Sequence, residues 1–227
     1  MSAELRRLAR NLAETSAEGS PGQRTAERLA AEPFDVAPLL QSALDGDTDA
    51  IDRAAAAAAL DPAAFAQLLE FALQPVLWVA ADRCAALTDI DKWDRGYCPV
   101  CAAWPALAEL VGAEKRRILR CGRCGTWWSW LVLLCPYCGN DDHRTLGTLT
   151  SEDSRDRVDV CERCHGYVKA VATFTSVPTV RLAAEDTATV HLDVGARDAG
   201  YTRPGTVDVA IAGIPRLVRE GRGSPDG

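Results

Sequence analysis

Along the first 85 residues the apolar positions recur every three or four places, the period of helices that each bury one face. Leu5, Leu8 and Leu12 form one stripe, with arginines between them. Val36, Leu39, Leu40, Ala43 and Leu44 form a second, ended by Gly46. Asp47 stands where it can cap the alanine-rich run that follows. Asp61–Pro62 is a start signal, a capping carboxylate and then a proline in the first turn, where no amide donor is needed. From there Phe65, Leu68, Leu69 and Ala72 face one way, and Pro75 predicts a kink or a restart. Ser16 to Gln23 reads as a turn-rich connection. These stripes are core faces, and the run Ala54–Ala59 signals helix and nothing more.

The pattern changes near Asp91, where alanine helices give way to short β-like runs, aromatics, glycines and regularly spaced cysteines. A domain boundary is expected at about residues 88–95. Ala106 to Val111 and Arg117 to Arg120 read as two strands around a Gly112–Lys115 turn. Trp128, Trp130, Val132 and Leu134 alternate along a further strand and are expected to share one packed face. A second change follows Pro178. Glu185 to Gly200 predicts a short helix, and the tail from Pro204 onward reads as frayed.

The N-terminal residues are charged and amphipathic, without the apolar core of a signal peptide, and no such core follows Arg6–Arg7. The most apolar stretch, Phe71 to Ala81, holds Gln74 and Pro75 and is itself too short to span a bilayer. These readings lead to a cytoplasmic protein without a membrane span. In that compartment nine cysteines are better explained by metal than by disulfides.

Eight of the nine form Cys-x-x-Cys pairs: Cys98/Cys101, Cys121/Cys124, Cys135/Cys138 and Cys161/Cys164. Two intervening residues make a tight knuckle that aims both sulfurs at one ion, and two knuckles complete a closed tetrahedral site. The intervals between pairs are 19, 10 and 22 residues. Pairing in order, first with second and third with fourth, gives loops of ribbon-type length, whereas interleaved pairing needs a less local topology. Tyr97-Cys-Pro-Val-Cys recurs as Leu134-Cys-Pro-Tyr-Cys, offset by 37 residues, and the second knuckles are offset by 40. This is an internal duplication of a rubredoxin-like, zinc-ribbon-like unit. Gly125 and Gly139 directly follow knuckles, where a positive φ is often needed.

The fold class that follows is α+β: an α-helical N-terminal domain and then two tandem rubredoxin-like small β units. The expected divisions are residues 1–90, 91–133 and 134–178, with a C-terminal helix and tail over 179–227. The cofactors are two tetrathiolate metal ions, and four thiolates accept iron and zinc alike. Cys84 reads as a buried inert thiol, and His143, His165 and His191 are not needed as ligands. A net charge of −7 argues against general affinity for nucleic acid or anionic membrane. Lys115, Arg116, Arg117, Arg120 and Arg123 form a local basic cluster. Its bland reading is a solvated face, and its sharper one is a docking surface for an acidic partner or RNA. No phosphate-binding glycine loop, nucleophile elbow or open His-Glu metal motif is present, so a binding or assembly role is favoured over catalysis.

From Tyr97 to about Arg203 the chain resembles the formate dehydrogenase accessory protein FdhE family. The likeness rests on CPVC at Cys98, CGRCGTWW from Cys121, CPYCG at Cys135 and CERC at Cys161. It continues in Leu192-Asp193 and in Gly200-Tyr201-Thr202-Arg203. The resemblance implies a helical N-terminal region and two rubredoxin-like units binding iron or zinc through the eight paired cysteines. It also implies a non-catalytic cytoplasmic protein that binds the catalytic subunit of an exported respiratory formate dehydrogenase and helps it mature. Three departures stand out: a shortened stretch before the first knuckle, Ala102 in place of glycine, and Val132 where a basic residue is expected. Two rivals remain at this level, a nucleic-acid-binding zinc ribbon and a rubredoxin-like electron carrier. The oligomeric state is not legible in the sequence.

Overall fold

The computed structural model describes residues 3–31, 34–85, 87, 89–150, 156–203 and 218–219. The chain divides into two compact units, Met1–Val79 and Ala80–Gly227. Its architecture is α+β, a helical N-terminal region followed by a sheet region that carries the cysteines.

Among the described residues, five helices occupy the N-terminal region: α1 (Ala3–Thr15), α2 (Pro21–Ala31), α3 (Ala37–Asp45), α4 (Thr48–Ala57) and α5 (Pro62–Ala85). Caps start them as the side-chain chemistry dictates. Asp47 accepts a hydrogen bond from the Ala50 amide at 3.0 Å, and Asp61 accepts one from Ala64 at 2.9 Å. The stretch read as a turn-rich connection already contains the start of α2. Ser20 accepts from the Gln23 amide at 3.1 Å, while Gln23 reaches back to the Gly19 amide, a near relative of the capping box. Nor does Pro75 end its helix: α5 runs through it without a break. One lost backbone bond is tolerated there because Leu73 and Leu77, on either side, are buried and hold the segment in place. At 24 residues, α5 is long and apolar enough to cross a bilayer by length and composition, which the shorter Phe71–Ala81 stretch is not. Buried Phe65, Leu68, Leu69, Leu73 and Leu77 recur at helical spacing, the pattern of a core helix.

The second unit is built on a seven-stranded sheet in the order β3-β2-β1-β6-β5-β4-β7. Its strands are β1 (Pro105–Val111), β2 (Arg116–Cys121), β3 (Trp127–Ser129), β4 (Leu146–Thr150), β5 (Arg157–Cys161), β6 (Tyr167–Thr173) and β7 (Val218–Arg219). The order 3-2-1 is repeated as 6-5-4, so the two ribbons stand head to tail. Within each ribbon the pairing is antiparallel; at the seam β1 and β6 run parallel, with Ala108 opposite Ala170. Both alanines are fully buried, and their small side chains let the seam sit deep in the core.

The expected continuous strand from Trp128 to Leu134 is not formed. β3 stops at Ser129, because the Trp130 amide makes the last backbone bond to Arg117 and the Trp130 indole then turns to the Leu134 carbonyl. Trp128 is buried but Val132 stands exposed, so the alternating residues Trp128, Trp130, Val132 and Leu134 do not share a packed face; Leu131 and Leu133 are exposed as well. The single helix expected over 185–200 is two: α6 (Leu182–Ala188) and α7 (Val190–Asp198). Thr189 marks the break, its hydroxyl donating back to the Glu185 carbonyl at 2.8 Å. Leu192, Ala196 and Tyr201 close over Leu149, Val158, Val160 and Tyr167 of the second ribbon. Apart from β7, the tail read as frayed lies outside the described residues.

Buried charges tie these layers together. Glu109 on β1 is paired with Arg120 on β2 and also accepts from Thr173, Ser176 and the Val177 amide. Lys169 on β6 meets Asp186 and Asp193, both at 2.6 Å. Removing one partner from such a pair costs about 3–5 kcal/mol, because the other charge is left buried and uncompensated.

Candidate metal centres

The four knuckles share one backbone design. The residue after each second cysteine has a positive φ: 57° at Ala102, 72° at Gly125, 68° at Gly139 and 53° at His165. That left-handed step folds the chain back so that the amides of Ala102, Gly125 and Gly139 each reach the carbonyl of their knuckle's first cysteine at 3.0 Å. The amide of each first cysteine in turn donates to a carbonyl beyond the knuckle: Cys98 to Ala103, Cys121 to Thr126, Cys135 to Asn140 and Cys161 to Gly166. Strands fix where the knuckles stand, since Cys121 ends β2 and Cys161 ends β5.

The eight sulfurs gather into two groups, Cys98/Cys101/Cys121/Cys124 and Cys135/Cys138/Cys161/Cys164, each with all four within 4.8 Å of one another. Knuckles therefore meet in sequence order. In the first group Cys98–Cys124 and Cys101–Cys121 are both 3.4 Å apart and Cys101–Cys124 is 3.6 Å. In the second, Cys135–Cys164 is 3.6 Å and Cys138–Cys161 is 3.8 Å. A tetrahedron with metal–sulfur bonds of about 2.3 Å has edges of roughly 3.8 Å, whereas a disulfide needs about 2.0 Å. The donor sets thus fit four-coordinate metal and not disulfides. All nine cysteines are free thiols, and Cys84, half-buried rather than fully buried, belongs to neither group. His143, His165 and His191 also lie outside both groups.

Sulfurs this close share protons unevenly. Hydrogen bonding from Cys101, then Cys121 and Cys98, holds the Cys124 thiol well below its ordinary range, while the Cys101 contact pushes Cys98 and Cys121 up. In the second group burial is the leading cause: it raises Cys135, and it brings Cys164 to about 11. Burial is also the largest single influence on Cys161, but hydrogen bonds from the amides of Cys164 and Arg163 and from the Cys164 and Cys138 sulfurs together bring it down. A bound divalent cation would draw all four thiols of a group to thiolates.

Beyond the ligands, each group has a polar neighbour that a reading of knuckles alone misses. Thr126 Oγ1 lies 3.1 Å from the Cys124 sulfur, and the Asn140 amide donates to the Cys161 sulfur at 3.5 Å. Both stand two residues after a knuckle's second cysteine, a recurrence visible in CGRCGT and CPYCGN. A second hidden repeat lies upstream. The Trp93 indole donates to the Tyr97 carbonyl and the Trp130 indole to the Leu134 carbonyl, each at 2.8 Å, so each knuckle-bearing unit opens with the same indole clasp.

The basic cluster dissolves on folding. Arg117 is buried against Asp159 at 3.1 Å and donates to the Leu131 carbonyl, and Arg120 is buried against Glu109. Lys115 and Arg116 remain exposed. Two of the five charges are thus spent inside the protein, and no five-residue basic face is left for an acidic partner.

Comparison with known proteins bears on this same region. The model of the FdhE C-terminal domain matches residues 133–209, which hold the second cysteine group, α6 and α7. The "Protein FdhE homolog" of Aquifex aeolicus is 30% identical over 138 residues, 58% of this chain and 47% of that protein. Its counterpart from Shewanella baltica is 32% identical over 109 residues, 47% of this chain and 36% of that protein. The match thus spans less than half the length of these curated relatives. The crystal structure of the FdhE protein from Pseudomonas aeruginosa superposes with a TM-score of 0.59 at 24% identity, over 88% of this chain and 67% of that one, a likeness of fold. Residues 133–209 are thus similar in sequence to the FdhE C-terminal domain, and the wider chain shares the fold of an FdhE protein.

Proposed function

We propose that this protein is a metal-binding assembly factor for the catalytic subunit of a respiratory formate dehydrogenase, acting in the cytoplasm before that subunit is exported. The observation that carries this reading is the FdhE C-terminal domain over residues 133–209, with its complete four-cysteine group. The two ions, iron or zinc, would supply folding energy to ribbons whose own cores are small, and so hold a rigid recognition surface. Four thiolates close the coordination sphere and leave no position for a substrate, which supports a binding role without catalysis. Exposed Leu131, Val132 and Leu133, at 71%, 48% and 58% accessibility, lie on the turn between the ribbons and support a surface made for a protein partner.

The test is an affinity pull-down of the tagged full chain from its own cells, grown so that formate dehydrogenase is made. Baits with Cys121→Ser/Cys124→Ser or Cys135→Ser/Cys161→Ser run beside it. The catalytic subunit should co-elute with the unaltered bait and be lost with both variants. A lysate that contains the subunit and an eluate that lacks it would overturn the reading.

A further inference from the structure

A ladder of aromatic rings connects the two cysteine groups. Trp93 meets Tyr97 edge-on at 5.5 Å, Tyr97 meets Trp104 at 6.1 Å, and Trp104 meets Tyr137 at 5.3 Å. Their places in the chain give this ladder its meaning. Tyr97 immediately precedes Cys98, Trp104 follows the first knuckle, and Tyr137 lies inside the third, between Cys135 and Cys138.

The backbone makes the same connection. A Cβ on Gly96 would stand 1.8 Å from the Pro136 carbonyl oxygen, so the segment entering the first knuckle rests directly on the third. Tyr137 continues the contact to the fourth knuckle. Its hydroxyl donates to the Tyr167 carbonyl at 2.9 Å, and a Cβ on Gly166 would lie 2.6 Å from its ring. Gly166 is the residue whose carbonyl receives the Cys161 amide. One half-buried tyrosine therefore touches a segment of the first group and both knuckles of the second.

We propose that the two metal sites are thermodynamically coupled through this joint, so that an ion at either one raises the affinity of the other. Without metal, each knuckle is a loop carrying thiols, and the cost of ordering it is met when an ion binds. An ion in the first group fixes the backbone from Cys98 to Cys124 and with it Gly96 and Trp104. Those residues then form a preset wall for Pro136 and Tyr137, and part of the ordering cost of the second group has already been met. Linkage requires the effect to run equally in both directions. This coupling holds whatever partner the protein serves.

The experiment is a chelator-competition titration of the full chain with Co2+, whose absorption reports tetrahedral thiolate ligation. In Cys121→Ser/Cys124→Ser the affinity of the second site should fall about tenfold from its value with the first site loaded. In Cys138→Ser/Cys164→Ser the affinity of the first site should fall by the same factor. Adding Trp104→Ala to each background should bring that factor close to one. Native mass spectrometry of the otherwise unaltered chain gives a reading free of ligand substitutions. At half-saturation, for sites of equal affinity, the one-ion species should fall to about a quarter of the chains rather than about a half, and Trp104→Ala should restore it. Affinities that do not change when the other site is lost would overturn the coupling. A tenfold factor that survives Trp104→Ala would assign it to the β1–β6 seam and overturn the role of the aromatic joint.

Discussion

The two cysteine groups have the same knuckle geometry and very different surroundings. In the first, Cys98, Cys121 and Cys124 are buried and Cys101 is half-buried; in the second, Cys138 and Cys164 are exposed. The glycines that follow equivalent cysteines make the contrast concrete. At Gly125 a Cβ would fall 2.0 Å from the Thr179 methyl, whereas at Gly139 nothing lies within 4 Å. Duplication supplied one chelating unit twice, and the neighbouring segments bury the sulfurs of the first copy more completely than those of the second. A four-cysteine motif therefore specifies ligation, while burial by neighbouring segments sets how readily the ion is lost.

The strongest way to break this comparison is to remove ligands from one group at a time. Structural zinc sites of this type contribute on the order of 10–16 kcal/mol in isolated peptides, more than most domains have in total stability. Cys121→Ser/Cys124→Ser should lower the thermal transition of the second unit by the larger amount, because the first group is the more buried of the two. Cys138→Ser/Cys164→Ser should leave a cooperative transition at lower temperature, followed by near-ultraviolet circular dichroism. Equal loss in both would show that exposure of the sulfurs is not a guide to their structural weight.

Lability comes next. Exposed thiolates are the ones that chelators and alkylating agents reach first, so Cys138 and Cys164 should be modified about tenfold faster than Cys98, Cys121 or Cys124. Mass-spectrometric mapping after timed alkylation of the metal-loaded protein reads this directly. Uniform labelling of both groups would remove the distinction drawn between them.

What the sequence disclosed, and what it hid, follows the range of the interactions involved. Knuckles, caps and the β1–β2 hairpin are local, and CPVC, Asp61–Pro62 and Gly112–Lys115 announce them within a few residues. The parallel seam between β1 and β6 joins positions about sixty residues apart, and no short pattern encodes it. Charged residues misled in the opposite direction. Arg117 and Arg120 read as part of a solvated face because their partners, Asp159 and Glu109, lie far along the chain or on another strand. The indole clasps of Trp93 and Trp130 were within reach, since both tryptophans stand five residues before a knuckle.

The glycine pair sharpens the comparison at single-residue scale. Gly125→Ala must adopt a left-handed backbone and also displace Thr179, a combination expected to cost about 2–4 kcal/mol. Gly139→Ala meets the backbone cost alone, about 1 kcal/mol. Denaturant unfolding of metal-loaded variants separates the two. A difference below about 0.5 kcal/mol would mean that Thr179 yields without cost, and that the first site is less tightly enclosed than its neighbours suggest.

The smallest effect concerns the two knuckles that carry side chains where the others carry glycine. Ala102 and His165 hold φ values of 57° and 53°, a conformation that costs an L residue about 1 kcal/mol relative to glycine. Glycine also has the greater freedom when unfolded, which returns part of that gain. Ala102→Gly should therefore stabilise the first site by somewhat under 1 kcal/mol, on the scale of a few degrees in melting temperature. His165→Gly should gain less, because the imidazole lies 6.1 Å from the Tyr201 ring and that contact is lost with the side chain. The carbonyl of residue 165 still receives the Thr202 amide, so the link from the fourth knuckle to the segment after α7 survives the change. A larger gain at 165 than at 102 would mean that the ring contact contributes nothing and that the fourth knuckle is the more strained of the two.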